Sequence, residues 1–157
     1  MLYQTNPAFP KEVQNYGCYF MSLLRMAELV SNTDLTVDQV NAIYVSGSQK
    51  GYITRKCSCV KPDSILKEAF FLTSAKFIAY QVGAKTYGNN PRTDWWQWVR
   101  TNPKFMEVDY LLVQFATGGG FGTHYCLADK NENVIYDPYN KPYKRLDMLG
   151  SHIYRVF

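Results

Sequence analysis

The chain reads as a single α+β domain over residues 1–157, with helices in its first half and an antiparallel sheet in its second. Three observations predict this. Apolar residues recur at helical spacing between Phe20 and Phe70. Beyond Tyr110 they change to short runs separated by turns rich in glycine and asparagine. Thirteen tyrosines and nine phenylalanines in 157 residues suit a core built partly on a sheet. The length is enough for one domain with its own core, and a chain that is 46% hydrophobic and 19% charged is not expected to be disordered.

The elements follow in order. Phe20, Leu23, Leu24, Ala27 and Val30 trace the i, i+3, i+4, i+7 stripe of a half-buried helix. It starts near Asn15 or Gly17 and ends at the polar turn Ser31-Asn32-Thr33-Asp34. A second helix begins at Thr36, where Thr36-Val37-Asp38-Gln39 has the form of a capping box. Val40, Ile43 and Tyr44 carry its apolar face, and Gly47 and Gly51 close it. A third follows Pro62-Asp63-Ser64, with Ile65, Leu66, Ala69 and Phe70 facing inward.

Residues 77–82 either extend that helix or form a first strand; periodicity does not decide between them. Residues 85–92 read as a turn-rich loop, and 93–99 as a short helix. Strands are expected over 110–115, 123–129, 134–137 and 152–157, with a glycine-rich loop at 118–122 and a polar turn at 130–133.

Charge and cysteine usage narrow the function classes. Seventeen basic residues are scattered among thirteen acidic ones, and the net charge is +4, with no basic run and no nucleic-acid motif. Nucleic acid is therefore not the expected partner. Residues 1–7 lack the basic region and apolar core of a signal peptide, and no apolar segment is long enough to span a bilayer. The expectation is a protein made in a reducing cytoplasm, with release by a non-classical or phage route left open. The four cysteines, at 18, 57, 59 and 126, are then free thiols.

Cys18 opens the first apolar helix. A thiolate there is stabilised by free backbone N–H groups and by the helix dipole. Of the two histidines, His124 lies at the beginning of a strand just after the glycine-rich loop, and His152 begins the last strand. The turn between Asp129 and Val134 pairs 129 with 134, 126 with 137 and 124 with 139 in the simplest hairpin. His124, Cys126, Asp137 and Tyr139 then share a face, with Asp137 diagonal to His124. Asp129 faces the other side. This favours Asp137 as the carboxylate that orients the imidazole. Gln14, four residues before Cys18, offers an amide donor for an oxyanion, with Asn15 as the alternative if the turn is tighter.

Gly118-Gly119-Gly120-Phe121-Gly122 lacks the ending of a phosphate loop and reads as a flexible rim beside His124. Cys57-Ser58-Cys59 with Cys126 and a histidine is a conceivable zinc set, but the C-x-C spacing is off the usual finger pattern and using His124 would take it from Cys18 and Asp137, so no metal and no cofactor is expected. Trp95, Trp96 and Trp98 either anchor packing or form a stacking surface for a sugar or peptide.

The set Gln14…Gly17-Cys18-aromatic, His124 on a strand and Tyr136-Asp137-Pro138 resembles the papain-like cysteine peptidases. The likeness is to the compact bacterial and phage branch that includes bacteriocin leader-processing peptidases. It covers short segments at the two ends of the chain. The Gln-to-Cys spacing is shorter than usual there, and Tyr19 stands where a small residue or Trp is commoner. The resemblance implies Cys18 as nucleophile, His124 as base, Asp137 as orienter and Gln14 as oxyanion donor. It also implies a papain-like fold and a peptide, protein or peptidoglycan substrate. Transglutaminase-like and acetyltransferase-like enzymes use the same order of residues, so transfer stands beside hydrolysis. A non-catalytic interaction module on the same scaffold is the reading from another class.

Overall fold

The computed structural model describes residues 1–86, 108–117, 122–140 and 148–157. The helices are α1 (Lys11–Tyr16), α2 (Cys18–Ser31), α3 (Val37–Gln49) and α4 (Pro62–Leu72). The strands are β1 (Ala79–Thr86), β2 (Tyr110–Thr117), β3 (Gly122–Asp129), β4 (Val134–Tyr136) and β5 (Met148–Val156). They form one five-stranded sheet in the order β1-β5-β2-β3-β4, and every neighbouring pair is antiparallel. The α+β arrangement expected from the sequence is the one observed. The last strand lies inside the sheet, between β1 and β2.

α2 is the central helix. Phe20, Leu23, Leu24, Met26 and Ala27 are all fully or almost fully buried, and Val30 is half-buried. It packs against β3, β2 and α4. Fully burying a side chain such as Phe20 or Leu24 contributes about 1.5–3 kcal/mol. The helix ends where Asn32 turns into the left-handed region at φ 51°, within the polar turn that predicted the stop. Glu28, buried in the same helix, is held by Arg25 at 2.9 Å and accepts the Leu35 N–H at 2.9 Å.

Both halves of the Thr36 capping box are made: Gln39 N–H donates to Oγ1, and the Thr36 N–H donates to Gln39 Oε1. Gly47 does not close α3 but sits inside it. A Cβ there would stand 2.8 Å from Ile53 Cδ1, so glycine lets the following loop pack onto the helix. Gly51, at φ +72°, makes the turn beyond the helix end. α4 carries Ile65, Leu66, Ala69 and Phe70 inward as expected.

The ambiguous segment 77–82 leads into a strand, and β1 continues through Thr86, two residues into the expected loop. β-Pairing with β5 decides this, because a neighbouring strand supplies the ladder that local sequence cannot anticipate. β5 likewise begins at Met148, before the expected start. The rest of the 85–92 loop, the helix expected over 93–99 with its three tryptophans, and most of the glycine rim lie outside the described residues.

The sheet separates two apolar clusters. Leu112, Leu127, Tyr136 and Tyr154 pack with the helices. Leu111, Val113, Phe115, Cys126, Ala128 and Ile153 form the other cluster. Their alternation along β2 and β3 is the period-two pattern of a sheet buried on both faces. Among the described residues, no helix is long and apolar enough to cross a membrane.

Candidate functional site

Gly17 sets the position of Cys18. It is buried between α1 and α2, and its N–H donates to Val13 O at 2.8 Å. A Cβ at this position would lie 2.4 Å from Val13 O, a backbone atom that cannot step aside. Glycine therefore permits the tight joint, and α2 starts at Cys18 itself. The half-buried thiol stands in the first turn, where backbone N–H groups have no partner within the helix.

His124 and Asp137 come together on the hairpin. Leu127 pairs with Tyr136, the register the four-residue turn predicts, while a bulge shifts Ala128 onto Val134. The bulge is confined to the turn end, so the face carrying 124, 126 and 137 is unchanged. His124 Nε2 lies 2.6 Å from Asp137 Oδ1, and the His124 residue is 9% exposed. Asp129 is elsewhere: it caps the turn, accepting from the N–H groups of Asn131 and Asn133 and from Asn133 Nδ2.

The other ring nitrogen is the informative one. His124 Nδ1 is buried and has no hydrogen-bond partner. The sulfurs of Cys18 and Cys126 lie close enough to act on the same ring. Burial works against charge on this imidazole, yet Asp137, Cys126 and Cys18 outweigh it and hold the pKa well above the ordinary histidine value. The ring is thus bonded to a carboxylate through Nε2, with both thiols acting on the same imidazole. Burial pushes the Cys126 thiol up, while His124 pulls it back down.

Gln14 has partners of its own. Its Nε2 donates to Phe9 O at 2.6 Å, and Lys11 Nζ donates to its Oε1 at 3.2 Å. One N–H of the amide expected to serve as oxyanion donor is thus engaged by the backbone. Gln14 lies within α1, and the helix turns its amide back onto the preceding turn. The residue that sequence reasoning missed is Gln4. It is fully buried, its N–H donates to Pro138 O, and its Nε2 donates to Gln14 O at 3.0 Å and Tyr139 Oη at 3.2 Å. A glutamine in a turn-rich N-terminal segment carries no local signal of burial.

Tyr139 completes the surround. Its ring centroid is 5.1 Å from that of His124, its N–H donates to Asp137 Oδ1 at 2.9 Å, and its hydroxyl donates to Asn15 O at 3.2 Å. One residue thereby links the acid, through its backbone N–H, with the imidazole and the helix joint ahead of Cys18. The hairpin parity did point Tyr139 to this face.

The second histidine serves a different cluster. His152 Nδ1 lies 3.0 Å from Gln81 Nε2, and Tyr19 stands edge-on to its ring at 5.2 Å. The Tyr19 hydroxyl meets that of Tyr154 at 2.9 Å. Cys57 and Cys59 sit in the loop before α4, where burial raises both thiols, Cys57 to about 12.

Residues 1–87 match the family described as "Protein of unknown function, DUF261". No curated protein and no solved structure matches the chain significantly.

Proposed function

The chain belongs to this family of unknown function, DUF261, and we propose that it is a cysteine-dependent acyl hydrolase of papain-like design that cleaves a peptide or isopeptide bond. One observation carries the reading. The buried His124 ring is anchored to Asp137 at 2.6 Å through Nε2, while Nδ1 is left without a hydrogen bond beside the thiols. An imidazole oriented by a carboxylate on one nitrogen and open on the other is what a thiol nucleophile needs as its base.

In the proposed reaction His124 holds the Cys18 proton, and the thiolate attacks an amide carbonyl. The tetrahedral oxyanion is met by the Cys18 backbone N–H at the helix start. His124 then protonates the leaving amine. Water, deprotonated by the same imidazole, cleaves the thioester and restores the thiol. Asp137 keeps the ring in position and offsets its charge. Gln4 and Tyr139 hold Asp137 and the helix joint in register.

The test is to offer peptide, isopeptide and peptidoglycan substrates and to search for an acyl adduct on Cys18 by mass spectrometry. The expected result is turnover with an adduct on Cys18, and no turnover for Cys18→Ala. Turnover that survives Cys18→Ala would overturn the assignment.

A further inference from the structure

Cys126 has no part in the proposed reaction, yet it stands on the same face as the acid–base pair. It is fully buried, and one donor atom from each of His124, Cys126 and Asp137 lies within 4.8 Å of the other two. The His124 nitrogen on the acid's side is Nε2, 2.6 Å from Asp137 Oδ1, and an ion held here takes the place of the proton between them. A sulfur, an imidazole nitrogen and a carboxylate oxygen are a donor set that, on drawing closer, suits a tetrahedral ion of the zinc type. The mixed soft and borderline donor set disfavours magnesium and calcium, which take oxygen ligands.

We infer that His124, Cys126 and Asp137 form a Zn²⁺ site that overlaps the proposed catalytic pair. One thiolate, one carboxylate and one neutral imidazole balance the charge of the ion. The fourth position is open to water. Uptake requires a thiolate and a ring nitrogen free of its proton, so the displaced protons pass to solvent. An ion held here occupies the imidazole, and Cys18 loses its base. The inhibitory consequence rests on the reading of Cys18 as nucleophile; the ion site itself does not. Cys57 and Cys59 are not members of this cluster.

The experiment titrates Co²⁺, as a visible stand-in for Zn²⁺, into the wild-type chain, Cys126→Ser, Cys126→Ala and a Cys57→Ser/Cys59→Ser double variant. Circular dichroism confirms the fold of each. The wild type and the double variant are expected to develop thiolate-to-cobalt absorption that Zn²⁺ abolishes. Both Cys126 variants are expected to lose that absorption and to bind roughly 10-fold or more weakly. Zinc X-ray absorption of the wild type, which needs no substitution, is expected to find sulfur in the first shell.

Alkylation of Cys18 should slow on adding Zn²⁺ and recover with a chelator. No thiolate band, a band unchanged in both Cys126 variants, or a zinc shell without sulfur would overturn the site. A Cys126-dependent band with Cys18 equally slow with and without Zn²⁺ supports the site and contradicts the nucleophile instead.

Discussion

At Asp137 a single carboxylate oxygen meets both His124 Nε2, at 2.6 Å, and the Tyr139 N–H, at 2.9 Å. Both contacts hold the imidazole with its other nitrogen turned away from the acid. Asp137→Asn keeps the shape but removes the charge that favours the imidazolium. Its turnover is expected to fall by roughly 10²–10⁴-fold, with a loss of stability in urea because the buried imidazole loses its counter-charge. Tyr139→Phe separates position from chemistry. It removes the hydroxyl that joins Asn15 O and Gln4, so turnover should fall less than in Asp137→Asn, with the pH profile of alkylation at Cys18 unchanged. A shifted profile would mean that Tyr139 exchanges protons itself.

Among the elements, the joint between α1 and α2 decides where the thiol stands. Gly17→Ala places a methyl against Val13 O, so the helix start must move. Lower thermal stability is expected together with slower alkylation of Cys18. Thr36→Ala, which removes one half of the capping box on α3, should cost about 1 kcal/mol, or about 3 °C in melting temperature, and leave Cys18 unaffected. The contrast distinguishes local positioning from general destabilisation.

These elements also show what local pattern carries. The α2 stripe, the Thr36 box and the Leu127–Tyr136 register are short-range matters of period, cap and turn length, and each was legible. The extent of β1 and β5 was not, because each is set by the other across the sheet. Gln4 was invisible for the same reason: what buries it is Pro138, Gln14 and Tyr139, two of them more than a hundred residues away. The bond from Gln14 to Phe9 O was not legible either, because sequence distance to Cys18 says nothing about which way a helix turns an amide.

For the molecule as a whole, His152 makes stability depend on pH. Burial lowers its pKa, so the fold prefers the neutral ring, which sits against Tyr19, Tyr125 and Gln81. The unfolded chain takes up a proton near pH ~6.5 before the folded one does. The stabilisation is therefore present above that pH and is lost as pH falls through the lowered folded value. Urea denaturation between about pH 7 and 5 should show His152→Gln gaining stability relative to the wild type as pH falls, with the opposing contribution of the raised His124 common to both. Equal slopes would show that His152 titrates alike in both states.

The most direct test of the central claim is site-resolved alkylation by iodoacetamide at mildly acidic pH, followed by mass spectrometry. Burial holds the thiols of Cys57, Cys59 and Cys126 up, while Cys18 opens α2 beside the His124 imidazolium. Cys18 is expected to react far faster than the other three and to lose that advantage in His124→Ala. Equal, slow labelling of all four cysteines, or a Cys18 rate unchanged in His124→Ala, would contradict the account.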